Sequence, residues 1–271
     1  MPSTYAASPD RPTRSYRIVR DMLDELGEGS LGSKSLHRLR IHLRRLQALH
    51  ELIGDVTAAH ALSEAVSRFS KLRTLQVFVK YLKDQNAPKS DRQQIRRLIQ
   101  KHRRRLLAKG VYRQTRQVVR QYALPPIPAH ARWLTDRLNG QRAIVLSRLR
   151  GMALAASTHP RRRQLHALRL CIKSLRYQEE CGFGHAGAQP QLVHALKDAQ
   201  AALGAYEEQA QFRKLARRLT LLSASQVERD FRRARKLARA LPHQLVATLQ
   251  PFLPSQSGVH PATGSREAAA V

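Results

Sequence analysis

The 271-residue sequence predicts an all-α protein made of two similar halves. Three observations carry that expectation. Apolar residues recur at the three- and four-residue spacings of helices, and no stretch alternates with the two-residue period of a strand. Gly- and Pro-containing breaks cut the chain into helix-length pieces joined by short connections, four to each half, which suggests two antiparallel four-helix bundles. One pattern occurs twice: residues 36–51 (LHRLRIHLRRLQALHE) and 165–180 (LHALRLCIKSLRYQEE) stand 129 residues apart. Leu36, His37, Leu39, Arg40, Leu46 and Glu51 recur as Leu165, His166, Leu168, Arg169, Leu175 and Glu180, and Arg44 answers to Lys173. Internal repetition of this kind marks two copies of one structural unit.

Taken in order, residues 1–12 are Ser/Pro/Ala-rich and are expected to be disordered. The first helix spans about 13–26, with Ile18, Met22, Leu23 and Leu26 inward and Gly27 and Gly29 closing it. Ser33 or Ser35 can cap the second, which stops near Gly54. A third helix is expected over 58–83, ending before Asn86, Ala87 and Pro88, and a fourth over 91–122, capped by Ser90 or Asp91. The run Leu124, Pro125, Pro126, Ile127, Pro128 cannot continue a helix and separates a first half, 13–124, from a second, 125–253. The second half repeats the plan with helices over 129–156, 164–183, 191–222 and 225–249, broken at His159-Pro160 and interrupted in the last by Pro242. Residues 254–271 read as a flexible tail rich in Ser, Gly, Pro and Ala.

Charge narrows the partners. Lys plus Arg number 49 against 19 Asp plus Glu, a formal net charge of +30. Self-repulsion on that scale works against compactness and fits a chain that meets a polyanion: nucleic acid, an anionic membrane or an inorganic polyanion. Aromatic residues are only 5% of the chain with a single Trp, which argues against a base-stacking surface. Of the two cysteines, Cys171 falls on an apolar helix face and reads as a small buried hydrophobe. With no signal peptide, long apolar run or disulfide framework, the chain is expected to be cytoplasmic and without a membrane span.

The residues that could do chemistry lie on the repeated helices. In 164–183, His166, Arg169, Lys173, Arg176 and Tyr177 fall within an arc of about 100° at 3.6 residues per turn, opposite Leu168, Cys171, Ile172 and Leu175. No carboxylate enters that stripe before Glu180, whereas a merely solvated helix face mixes signs to gain i,i+4 pairs. The stripe rises ~16 Å and suits an extended anion. Arg169 and Arg176 can fork onto phosphate oxygens and Lys173 adds a point charge. His37 and His166 can donate a ring N–H and, when protonated, add charge. Tyr177 can donate its O–H. Arg40, Arg44 and Arg45 supply the first copy, and Lys71, Arg73 and Lys197 extend the ribbon from neighbouring helices. His42 and His50 fall on or near the apolar face and are expected to be buried or interface residues rather than ligands. The basic runs 103–105, 161–163 and 232–236 read as solvated faces that raise the long-range field.

The paired H-x-x-R-x-x-x-[RK] helices, the KSLRY of residues 173–177, and Leu196, Lys197, Gln200, Leu203 and Gly204 at their spacing resemble the CHAD family, the conserved histidine α-helical domain. The resemblance covers almost the whole chain between the two tails. It implies two four-helix bundles related by a pseudo-two-fold axis, whose striped helices line a basic groove for inorganic polyphosphate, and an association with polyphosphate granules. The first half departs from the family: where L-G-x-x-R-D-x-D-V is expected, Phe69, Ser70, Lys71, Leu72, Arg73, Thr74, Leu75, Gln76 and Val77 stand, so both acidic positions are neutral. Gln47 and Ala48 likewise replace the Arg176 and Tyr177 of the second copy.

Two other classes compete. Nucleic-acid binding would use the same basic surface, but no helix-turn-helix, RRM or zinc pattern is present. An enzyme acting on phosphate chains needs carboxylates to hold a metal or place a nucleophile. Glu25, Glu28, Glu179, Glu180, Glu207 and Glu208 do not form a spaced set with the stripe, and no Walker loop or E-x-E-x-K occurs. The expectation is a binder with no catalytic residue, cofactor or metal.

Overall fold

The computed structural model describes residues 11–26, 32–124, 132–158, 160–182 and 189–253. Among them all regular structure is helical: α1 (Arg11–Leu26), α2 (Ser33–Ile53), α3 (Val56–Arg68), α4 (Ser70–Asp84), α5 (Lys89–Ala108), α6 (Val111–Gln121), α7 (Arg132–Ala155), α8 (Arg162–Gly182), α9 (Pro190–Arg218), α10 (Ala224–Leu249) and a closing 3₁₀ turn (Gln250–Phe252). The expectations for residues 1–10, Gly27, Gly29, 125–128, His159 and 254–271 lie outside the described residues. Arg11 and Pro12, expected in the disordered segment, belong to α1.

The third and fourth expected helices are each two. The first break is at Phe69, whose side chain is fully buried and packs 5.5 Å, centroid to centroid, from Tyr112. Anchoring that ring tightens the backbone, and the Phe69 N–H reaches the Val66 carbonyl at 3.3 Å. The second break is Gly110, at φ 58°, a left-handed conformation that costs glycine little. Pro242 interrupts nothing: it is buried inside α10, which continues through it while packed against α7 and α9.

The expected caps also move. Gly32, not a serine, precedes α2, and Pro88 precedes α5, neither with a side-chain cap bond. Asp91 is buried and instead accepts from the Leu222 and Ser223 N–H groups and the Ser223 hydroxyl at 3.2, 2.9 and 2.7 Å. It thereby caps the approach to α10 rather than its own helix. Gly54 closes α2 at φ 85°, where an added Cβ would stand 2.9 Å from Arg137 Nη2.

Two apolar cores result. The first draws on α1–α6 together with Phe212, Ala216, Leu221 and Val227 from the end of α9 and the start of α10. The second is built from α7–α10 and the residues that follow α10. The helices with the repeated pattern, α2 and α8, pack directly on each other between them. His50 is buried, as expected, hydrogen-bonded with Tyr16 Oη at 2.6 Å, the Tyr122 carbonyl at 3.1 Å and Asp55 Oδ2 at 3.1 Å.

Candidate functional site

Because Leu36, Leu39, Leu43 and Leu46 of α2, like Leu165, Leu168, Ile172 and Leu175 of α8, are buried, the cationic stripes are brought side by side. Burial, then the charges of Arg169, Arg44, Arg40 and Arg176, push the Lys173 ammonium down to about 7. Burial, then Arg44 and Arg73, push the Arg40 guanidinium down to about 10. The lowered values follow from burial first and then from crowding, since cations from α2, α4 and α8 stand close enough to repel. The imidazole of His37 is also lowered, by burial and then by Arg73 and Arg40.

What each cation touches differs. Arg40 Nη1 donates to the Val66 carbonyl at 2.6 Å and Ser70 Oγ at 3.0 Å, at the break between α3 and α4. Arg44 Nη1 donates to Gln47 Oε1 at 2.7 Å. Arg73 reaches Ser33 Oγ at 3.1 Å. Arg176 pairs with Glu180 at 3.2 Å and lies over the Tyr177 ring, 4.2 Å from its centroid. Among the described residues, Arg169 and Lys173 have no hydrogen-bond or ion-pair partner. The Nε–H groups of Arg44, Arg169 and Arg176 are buried without a protein acceptor. Other buried arginine Nε–H groups, those of Arg92, Arg116 and Arg150 among them, also lack a protein acceptor, so it is the gathering of three in one cationic cluster that favours an anionic acceptor.

A cleft of about 560 Å³ opens beside the cluster, between α2, α3, α7 and α8, with Arg44, Arg148, Lys173 and Tyr177 in its lining. Its far wall is apolar (Val145, Met152, Leu170). Glu51 holds the two striped helices together, accepting from Gln47 Nε2 and Ser174 Oγ at 2.7 Å each.

The structure thus gathers His37, Arg40, Arg44, Arg73, Arg169, Lys173, Arg176 and Tyr177. Tyr177 is buried at 7% exposure, packed under Arg176. Arg45 lies 3.5 Å from Glu180 and links α2 to α8. His166 is exposed, with Nδ1 3.8 Å from Glu207, beside the Arg162–Glu207 pair at 3.1 Å. Lys71 is exposed on α4 and acts on His102 of α5, not on the cluster. Lys197 is half-buried on α9. Cys171 is half-buried rather than buried, with its thiol pushed up by burial.

Sequence reasoning set Glu208 apart from the stripe, which the structure corrects, and passed over Arg148. Glu208 is open to solvent yet crowded by protein, and burial lifts its carboxyl above the ordinary range despite Arg73, Arg169 and Lys173. Its position beside the stripe depends on how α9 crosses α8, which no local spacing encodes. Arg148, at i+3 from Val145 and i−4 from Met152, carried the only signal: those three residues share a helix face. Among the described residues no group of three or more His, Cys, Asp or Glu could hold a metal ion, and no helix is long and apolar enough to cross a membrane.

No curated protein matches the chain. The CHAD domain matches residues 17–217, a stretch that contains both striped helices and every residue of the cluster. The chain belongs to the CHAD domain family.

Proposed function

We propose that the cleft between α2 and α8 binds inorganic polyphosphate and leaves it chemically unchanged. The carrying observation is the convergence of Arg40, Arg44, Arg169, Lys173 and Arg176 in one mutual field. A linear phosphate chain offers repeating acceptors and no base edges, so recognition by charge density and forked N–H groups suits it. Membership of the CHAD family, associated in general with polyphosphate, supports the same reading. Of the nearby carboxylates, Glu51 is taken up by Ser174 and Gln47 and Glu180 by Arg176 and Arg45; Glu208 alone beside the cations falls short of the carboxylate set that a phosphoryl-transfer enzyme uses, which favours a binder.

On this reading the two helical halves are related by a pseudo-two-fold axis relating α2 to α8, and the chain accompanies polyphosphate granules in the cytoplasm. Titration with long-chain polyphosphate, with tripolyphosphate and RNA as competitors at matched salt, tests the ligand. Long-chain polyphosphate should displace RNA, and binding should fall steeply with salt through counterion release. RNA displacing polyphosphate, or an Arg169→Ala, Arg176→Ala double variant with unchanged affinity, would overturn the assignment. Phosphate release on incubation with Mg²⁺ would overturn the non-catalytic part.

A further inference from the structure

A second basic hollow lies apart from the α2/α8 cleft. A cavity of about 890 Å³ lies between the start of α8, the second half of α9 and the middle of α10. Seven of its twelve described lining residues are Arg or Lys. Arg213, Lys214 and Arg217 come from α9, Arg235 and Arg239 from α10, and Arg161 precedes α8. At about 100° per residue these α9 positions lie roughly 120–180° around the helix from Glu208, which faces the central cluster. The two sites are therefore on different sides of α9, with the Arg162–Glu207 pair in the partition.

The cavity is built rather than merely charged. Tyr206 and Phe231 form its floor, stacked with centroids 5.8 Å apart at 26°. The Arg213 guanidinium lies 4.5 Å above the Phe231 centroid. Arg213 Nε and Arg217 Nη2 both donate to Glu228 Oε2, at 2.7 and 2.8 Å. Those bonds fix two guanidiniums in place and leave each with further N–H groups. Arg161, Lys214, Arg235 and Arg239 have no carboxylate partner among the described residues. On both long walls a cation recurs after four residues, a rise of ~6 Å. The volume is that of a small-molecule pocket, and the paired cations match an anion several phosphoryl groups long.

We propose that this cavity is a second, separate site that takes a short condensed phosphate of three or four phosphoryl groups, either free or as the tail of a nucleotide. Aromatic floor and carboxylate clamp preorganise the arginines. Lys214, Arg235 and Arg239 supply the point contacts. Arg235 and Arg239 come from α10 and lie beyond the residues matched by the family.

The test uses the full chain, titrated with tripolyphosphate and with adenosine triphosphate in metal-free buffer. Three double variants are compared: Arg235→Ala with Arg239→Ala in the cavity, Arg233→Ala with Lys236→Ala on the same helix outside it, and Arg40→Ala with Arg169→Ala in the cation cluster beside the cleft (the cleft variant). The cavity variant should lose at least about tenfold in tripolyphosphate affinity, a change of about 1.4 kcal/mol. The off-cavity variant should keep it within about twofold, and the cleft variant should lose less than the cavity variant. Adenosine triphosphate binding as tightly as tripolyphosphate, or tighter, identifies a nucleotide tail as an acceptable source; weaker binding identifies the free phosphate chain. Equal losses from the cavity and the off-cavity variants, at unchanged helicity, would reduce the effect to net charge and overturn the site. Loss confined to the cleft variant would overturn it too. Failure of the long-chain titration leaves this result standing, because the two pairs of substitutions are independent.

Discussion

α2 and α8 carry the same pattern and use it differently. On α2 the cations have acceptors: Arg40 holds the carbonyl freed at the α3–α4 break, and Arg44 is tied to Gln47. On α8, Arg169 and Lys173 sit in the same repulsive cluster with no hydrogen-bond or ion-pair partner among the described residues. A duplicated charge pattern does not fix duplicated roles; the nearest acceptor does. A cation with a protein acceptor stiffens the fold, and one without stays committed to whatever anion arrives.

Four measurements would break or sharpen that contrast. The largest effect belongs to α8. Arg169→Ala with Lys173→Met should weaken long-chain polyphosphate binding by more than about a hundredfold, on two charge-assisted contacts of about 1.5–3 kcal/mol each. The free protein should melt no lower, because buried like charges are removed. A melting temperature several degrees lower would erase the distinction between the helices.

Arg40→Ala should do the reverse. Leaving the Val66 carbonyl with poorer partners should lower stability by about 1–3 kcal/mol in denaturant unfolding, with a smaller loss of affinity than Arg169→Ala causes. Unchanged stability would mean that Arg40 is as free for ligand as its counterpart.

The pH dependence comes next, and its sign follows from Lys173. A polyanion favours the ammonium form, so binding takes up a proton and affinity should fall as pH rises from about 7. In the free protein the unfolded chain binds the extra proton between about 7 and 10.5, so stability should rise with pH across that window. Lys173→Met should flatten both trends. His37, held below 6.5 in the free protein, adds to affinity only on the acid side of that value. If the wild-type and Lys173→Met profiles coincide, Lys173 is not in the ligand's field.

The smallest effect is a restoration. Gln47 and Glu51 occupy the positions of Arg176 and Glu180 in the repeat. Gln47→Arg should pair with Glu51, release Arg44, and tighten polyphosphate binding by about twofold, the size of an i,i+4 ion pair. Weakened binding would show that Gln47 orients Arg44 usefully.

Much of the fold was legible because it depends on local pattern. The apolar phase of residues 36–51 and 165–180 placed the core faces of α2 and α8, and the stripes followed as their complement. The breaks at Phe69 and Gly110 were not legible. A fully buried Phe reads as ordinary helix, and a lone Gly in a basic stretch reads as a tolerated one. Asp91 read as the cap of its own helix because its partners, Leu222 and Ser223, are distant in sequence. The cavity beside α10 was hidden in a run read as a solvated face. Arg235 and Arg239 share the four-residue spacing of Phe231, but only α9 packing against α10 turns that face into a pocket.

Lys173 gives the most direct test of the account. An ammonium pushed down to about 7 is largely a free amine just above neutrality, so its acylation can be followed by mass spectrometry beside that of exposed Lys80 and Lys89. Long-chain polyphosphate should suppress labelling of Lys173 far more than labelling of the two reference lysines. Protection of Lys173 no greater than theirs would contradict a polyphosphate chain held between α2 and α8.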